Sequence, residues 1–201
     1  MLYKDFSLKL LKDQFGVQNQ IGKLFGNLEP IEPSEYLRYA LKIAQELPVR
    51  TEKAKSEYIA VPILNELRMR NDKFFTIYSG ENLLADAEKG LNGECDFILA
   101  KDVRSFDLNY PIISIVEAKR HDLELGVPQC AAQMLGAKLF NEKQGIQLEK
   151  IYGCVTTGRD WLFLQLEEHF TIDIEIYYLA NIQQLLAIFQ HIIDYYKKCL
   201  P

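Results

Sequence analysis

The sequence predicts an α/β protein in three layers, α/β/α, around a central mixed sheet. Helix-period segments and short apolar runs follow one another as helix, three strands, helix, strand, strand pair and helix, an order that stacks helices on a sheet. Two of the runs, Gly93–Ala100 and Ile112–Val116, are nearly continuous in apolar residues, as strands buried on both faces are. The 201 residues, 48% of them hydrophobic, are enough for a sizeable core. One domain of this length removes roughly 70% of its unfolded surface from water. The expectation is a single domain over residues 1–201, made of a helical extension (1–50), a core (51–180) and a terminal helix (181–201).

Residues 5–15 set Phe6, Leu8, Leu10, Leu11 and Phe15 among Lys9, Lys12 and Asp13, an amphipathic segment stopping near Gly16. Ser34 caps a helix with Leu37, Ala40, Leu41, Ala44 and Leu47 at helical spacing, and Pro48 ends it. A second helix starts near Thr51 and runs towards Arg68 with Ala60, Leu64 and Leu67 on one stripe; Pro62 kinks or restarts it. Lys73–Ser79, rich in Phe, Ile and Tyr, reads as a strand followed by a polar connection. The next two strands form a hairpin whose long tip is Lys101–Tyr110. Helical spacing returns from Val127 to about Glu142. The strands Ile151–Thr156, Trp161–Leu166 and Ile172–Tyr178 follow, the first two joined by the turn Thr157–Asp160. Ile182–Lys198 closes the chain as an amphipathic helix whose Ile182, Leu185, Leu186, Phe189 and Ile193 can pack on the core or on a second copy in a homodimer.

The formal charge of −5 excludes the general basic balance with which many proteins capture nucleic acid, so any such binding must be local or metal-assisted. The four cysteines are widely spaced and form no CxxC pair, which argues against structural zinc and a secreted disulfide framework. No signal peptide and no bilayer-length apolar run are apparent, and the expectation is a reduced, cytoplasmic, soluble protein without membrane contact.

The chemistry-bearing residues cluster at the ends of the two apolar strands. Side chains alternate along a strand, so Glu117 and Lys119 emerge on one side and Ala118 on the other. Asp96 supplies a second acid one strand away. Metal-dependent phosphodiester cleavage needs oxygen ligands for a hard cation, an activated water and positive charge near phosphorus. Asp96, Glu117 and the Ala118 carbonyl can hold Mg²⁺ (or Mn²⁺), while Lys119 orients or deprotonates the water. Glu57, on the stripe of Ala60, Leu64 and Leu67, reads either as an auxiliary acid or as a partner of the helix dipole. Glu94 shares the strand face of Asp96 and is an extra ligand or a solvated strand entry. Gln129 and Gln133, four apart on a helix, can hydrogen-bond Lys119 or a phosphate backbone, or lie on an exposed face. Lys119-Arg120-His121 is a candidate phosphate contact; Arg68, Arg70 and Lys73 form a second basic cluster of a kind that is usually only solvated.

These residues resemble the PD-(D/E)XK nuclease superfamily over roughly residues 50 to 165. Gly93-Glu94-Cys95-Asp96 looks like its Gly-x-hydrophobic-Asp strand, and Val116-Glu117-Ala118-Lys119 like its hydrophobic-Glu-x-Lys strand. Ser56-Glu57 with Pro62-Ile63-Leu64, and Cys154–Gly158 leading to Trp161, are similar to the nuclease portion of type I restriction motor subunits. The resemblance implies a restriction-endonuclease-like fold and a Mg²⁺-dependent nuclease acting on DNA. Asp96 and Glu117 would then be metal ligands, Lys119 the catalytic lysine and Glu57 an auxiliary acid. The competing expectation is a non-catalytic nucleic-acid-binding or protein-interaction module that keeps the fold.

Overall fold

A computed structural model describes residues 1–101, 107, 108 and 110–200. Among these residues, seven strands form one mixed sheet in the order β1-β7-β6-β5-β4-β3-β2. The strands are β1 (Asn19–Gly22), β2 (Phe75–Asp86), β3 (Leu91–Lys101), β4 (Ile112–Ala118), β5 (Ile151–Thr156), β6 (Asp160–Leu166) and β7 (Phe170–Tyr178). The helices are α1 (Leu8–Phe15), α2 (Glu35–Glu46), α3 (Glu52–Lys55), α4 (Val61–Arg70), α5 (Val127–Lys143) and α6 (Ile182–Cys199). β4 and β5 run parallel, joined by the α5 crossover, and β1 runs parallel to β7; the other neighbours are antiparallel. The expected β3–β4 hairpin forms; of its tip, residues 102–106 and 109 lie outside the described residues.

Alternation along β5 shows how helices come to flank the sheet. Tyr152 points to one face, where its ring meets Tyr195 and Tyr196 of α6. Gly153 points to the other, where a Cβ would stand 2.3 Å from Met134 Sδ and 2.8 Å from Cys130 Sγ of α5. Only glycine lets α5 approach this closely. On the α6 face, Trp161 and Phe163 of β6 meet the Phe189 ring edge-on. Leu185, Leu186, Phe189 and Ile193 are all buried against the core, so the apolar stripe of the terminal helix is used within the chain. No helix of the described residues is long and apolar enough to cross a membrane.

Two local departures from the sequence expectation matter for the site. The helix expected from Thr51 is continuous through Pro62 because Ser56–Ala60 is a π-helical turn: the Val61 N–H bonds back five residues to the Ser56 carbonyl. The wider turn accepts a residue that has no N–H and a ring next to the preceding turn. The stretch expected as a helical extension also contributes an edge strand, β1, while β2 runs on through the expected polar connection to Asp86.

The long basic cluster of α4 is structural. Arg70 pairs with the buried Glu66 at 2.8 Å, and Glu66 also accepts from the backbone N–H and hydroxyl of Ser34, the residue that caps α2. Arg68 donates to the Phe75 carbonyl at 2.8 Å. Asn141 plays a similar part under the sheet, accepting from Ile112 N–H at 2.7 Å and donating to Ile112 C=O at 2.8 Å. Asn141→Ala should therefore strand two buried backbone groups and cost about 2–4 kcal/mol, read as a lower urea midpoint with an unchanged m-value.

Candidate functional site

β3 and β4 stop pairing just where the acids stand. Phe97↔Val116 is the last pair of their ladder towards the end of β4, and beyond it the Ala118 N–H donates to Asp96 Oδ2 at 2.7 Å. A side-chain carboxylate thus takes over the ladder's hydrogen bond and the two strands part. The opening is a cavity of about 510 Å³ whose lining includes Asp96, Glu117, Lys119 and Gln129. Lys119 is held against the neighbouring strand by its N–H, which donates to the Thr156 carbonyl at 2.7 Å.

The side chains form one connected network. Lys119 Nζ donates to Glu117 Oε1 at 2.6 Å and to Gln129 Oε1 at 3.0 Å, so the two ends of the strand motif do share a face. Gln133, one helical turn after Gln129 on α5, donates to Glu117 Oε2 at 2.9 Å. Gln133 is wholly buried, which answers the choice left open between an internal partner and an exposed face. Its Oε1 is buried without a hydrogen-bond partner.

Burial pushes the Glu117 carboxyl up to about 7, and the charge of Asp96 adds to the rise while the Lys119 ammonium opposes it. Burial raises Asp96 as well, against the Ala118 N–H and the Lys119 charge, both of which favour the anion. Two neighbouring carboxyls in a poorly solvated site therefore compete for one cation. Such a pair can take up or release a proton near neutral pH beside a fixed positive charge.

Glu57 does not join them. Its side chain is 52% exposed and faces Lys53 across 3.8 Å on the outer surface. The π-helical turn explains this: Glu57 lies within it, and the wider turn takes Glu57 out of the helical phase it would otherwise share with Ala60, Leu64 and Leu67. Glu57→Ala is expected to leave stability within about 0.5 kcal/mol of the parent, measured by urea denaturation.

The helical acid at the cavity is Glu52, in the first turn of α3, whose Oε1 accepts the Arg120 N–H at 2.9 Å. In sequence it reads only as an acid favoured by a helix N-terminus. Lys4, from the N-terminal 3₁₀ turn Tyr3–Asp5, also lines the cavity, and so does Glu94. Nothing local in the sequence points to Lys4, which arrives there through tertiary packing.

The expectation of Mg²⁺ or Mn²⁺ on Asp96, Glu117 and Ala118 is corrected. Among the described residues no three His, Cys, Asp or Glu side chains come together as a group that could hold a metal ion. The physical reason lies in the contacts above. Lys119 Nζ, itself a cation, stands 2.6 Å from Glu117 and repels a second positive charge there; one Asp96 oxygen is taken by the backbone; and Glu57, expected as the auxiliary acid, faces outward. Neither a family model nor a curated protein matches this chain.

Proposed function

We propose that the chain is a nuclease-like hydrolase of DNA phosphodiester bonds built on a restriction-endonuclease-like core. The observation that carries this reading is the fixed ion pair at the end of β4, Lys119 Nζ 2.6 Å from Glu117, with Asp96 on the adjoining strand and an open cavity above. The order acid on one strand, then acid-x-lysine on the next, is the feature by which the sequence resembles PD-(D/E)XK nucleases. In this reading a water attacks phosphorus and gives its proton to Glu117, the ester P–O bond breaks, and the departing oxygen takes a proton from solvent. Lys119 offsets the negative charge that grows on the phosphoryl oxygens. Gln129 and Gln133 hold the ammonium and the carboxylate in place.

The acid surplus of the cavity favours a second reading. Among the described residues that line it, Glu52, Glu94, Asp96 and Glu117 outnumber Lys4 and Lys119, a balance suited to a non-catalytic interaction module that binds a cationic protein segment. Incubation with supercoiled plasmid and with single-stranded DNA separates the two, run both in chelator and in buffer with added divalent cation. Cleavage by the parent that is lost in Lys119→Ala and Asp96→Ala supports hydrolysis. Equal cleavage by all three removes the site assignment, and no cleavage by any leaves the interaction module.

A further inference from the structure

Three cations from three separate stretches of chain meet beside the cavity. Lys55 closes α3, Arg120 directly follows Lys119, and Arg159 sits in the β5–β6 turn. Lys55 ties the other two together. Its Nζ donates to the Arg120 carbonyl, and its Cβ lies 3.2 Å from where a Cβ on Gly158 would stand, so its stem rests on the backbone next to Arg159. Gly158 holds φ +82°, a conformation that allows the turn to fold back on α3.

The guanidinium groups are left over by the fold. Arg120 and Arg159 are exposed, and neither forms an ion pair among the described residues. Two acids flank the cluster without pairing with either guanidinium: Asp160 accepts from the Thr157 hydroxyl at 3.0 Å, and Glu52 accepts the Arg120 backbone N–H. Burial destabilises the Lys55 ammonium most, Arg159 and Arg120 add to this, and Asp160 and Glu52 oppose it, so the three cations lie close enough to sense one another. Like charges gathered this way cost free energy in the free protein unless an anion joins them.

We infer that Lys55, Arg120 and Arg159 form the contact for the phosphate backbone of the DNA strand next to the bond being cleaved. The inference rests on the proposed hydrolysis for its choice of polyanion, and it explains how a chain of net charge −5 with an acidic cavity holds one. An extended strand fits better than a free phosphate because the two exposed guanidiniums stand on different loops. Lys55 and Arg159 also line, with Asp160 and a largely apolar wall from α2, a groove of about 720 Å³. Phosphate contacts of this kind position a strand without reading its sequence.

The test is fluorescence anisotropy of a labelled duplex across a salt series, using the full chain with Lys119→Ala to keep the DNA intact. Adding Arg120→Ala and Arg159→Ala together is expected to weaken binding at least about tenfold at low salt. It should also flatten the plot of log affinity against log salt by about 1.8, two phosphate contacts at roughly 0.9 each. The double Arg→Lys change should keep most of the slope, since charge and not bidentate geometry carries this term. An unchanged slope in the double Ala variant, no salt-dependent binding by the starting protein, or displacement by millimolar inorganic phosphate beyond that of matched chloride would each overturn the inference. Plasmid cleavage by the same arginine variants with Lys119 intact separates the two ideas. Salt-dependent binding that needs the arginines, with no cleavage by the parent, upholds the contact and removes the hydrolysis. Cleavage with arginine-independent binding does the reverse.

Discussion

Under the proposed hydrolysis, Lys119→Ala is expected to lower the rate of plasmid nicking by about 10²–10⁴-fold, the range in which a positioned proton-transfer or charge-stabilising group contributes. Two losses combine. The ammonium that would offset charge at phosphorus disappears, and Glu117, only 2% exposed, keeps Gln133 as its remaining side-chain partner. Without Lys119 the Glu117 pKa must climb further, because the cation is what opposes burial and the Asp96 charge. The carboxyl is then protonated at neutral pH and cannot accept the proton of the attacking water. Protonation also limits the damage to the fold, since no unpaired charge stays buried. The variant should therefore melt cooperatively while nicking slowly, and initial rates with a thermal melt check both. Gln129→Ala leaves the ammonium present but unguided on one side, so a smaller loss of about tenfold is expected. Parent-like nicking by Lys119→Ala would remove Lys119 from the chemistry.

The centre of this site was legible because it depends on the shortest period in protein structure. Alternation alone places Glu117 and Lys119 on one side of β4, whatever the strand pairs with, and an acid among the apolar residues of β3 needs a nearby partner. Glu57 failed for a reason that no helical wheel contains: the π-helical turn at Ser56–Ala60 shifts the phase. Glu52, which reaches the cavity instead, was hidden because an exposed first-turn acid already has an explanation in the helix dipole. In the fold, β1 escaped because its four residues are mostly exposed, show no alternation, and pair with Phe170–Asp173 far along the chain. β2 looked too short because the polar stretch Ser79–Asn82 marks an exposed sheet edge rather than the end of the strand. What the sequence conveyed least was the local cation cluster, since Lys55 and Arg159 are joined to Arg120 only by the packing of the β5–β6 turn on α3.

Between pH 4.5 and 8, Glu117→Gln should remove a loss of stability that the parent suffers. The sign follows from the direction of the shift. Folding raises the Glu117 pKa from 4.5 to about 7, so the folded state favours the protonated acid. The contribution to stability is fully present below the unfolded value of 4.5 and is lost as pH rises through about 7. A displacement of this size corresponds to roughly 3 kcal/mol, shared with Asp96 because the two carboxyls titrate as a pair and Asp96 is raised too. Gln imitates the protonated acid. Lys119 can still donate to its oxygen, and the new amide can donate to Gln133 Oε1, the buried atom now without a partner, once the Gln133 amide turns over. Urea denaturation of both proteins at several pH values reads the Glu117 titration together with its coupling to Asp96, the other titrating groups being common to both proteins. The parent should lose up to roughly 3 kcal/mol relative to the variant across this window. Under the proposed hydrolysis, parent nicking should over the same interval rise about tenfold per pH unit below 7 and level off above it, because only the ionised carboxylate accepts a proton. Stability falling while activity rises through one titration would tie both to Glu117; a variant with the parent's pH dependence of stability would show that the buried carboxyl is ionised throughout and that Lys119 outweighs its burial.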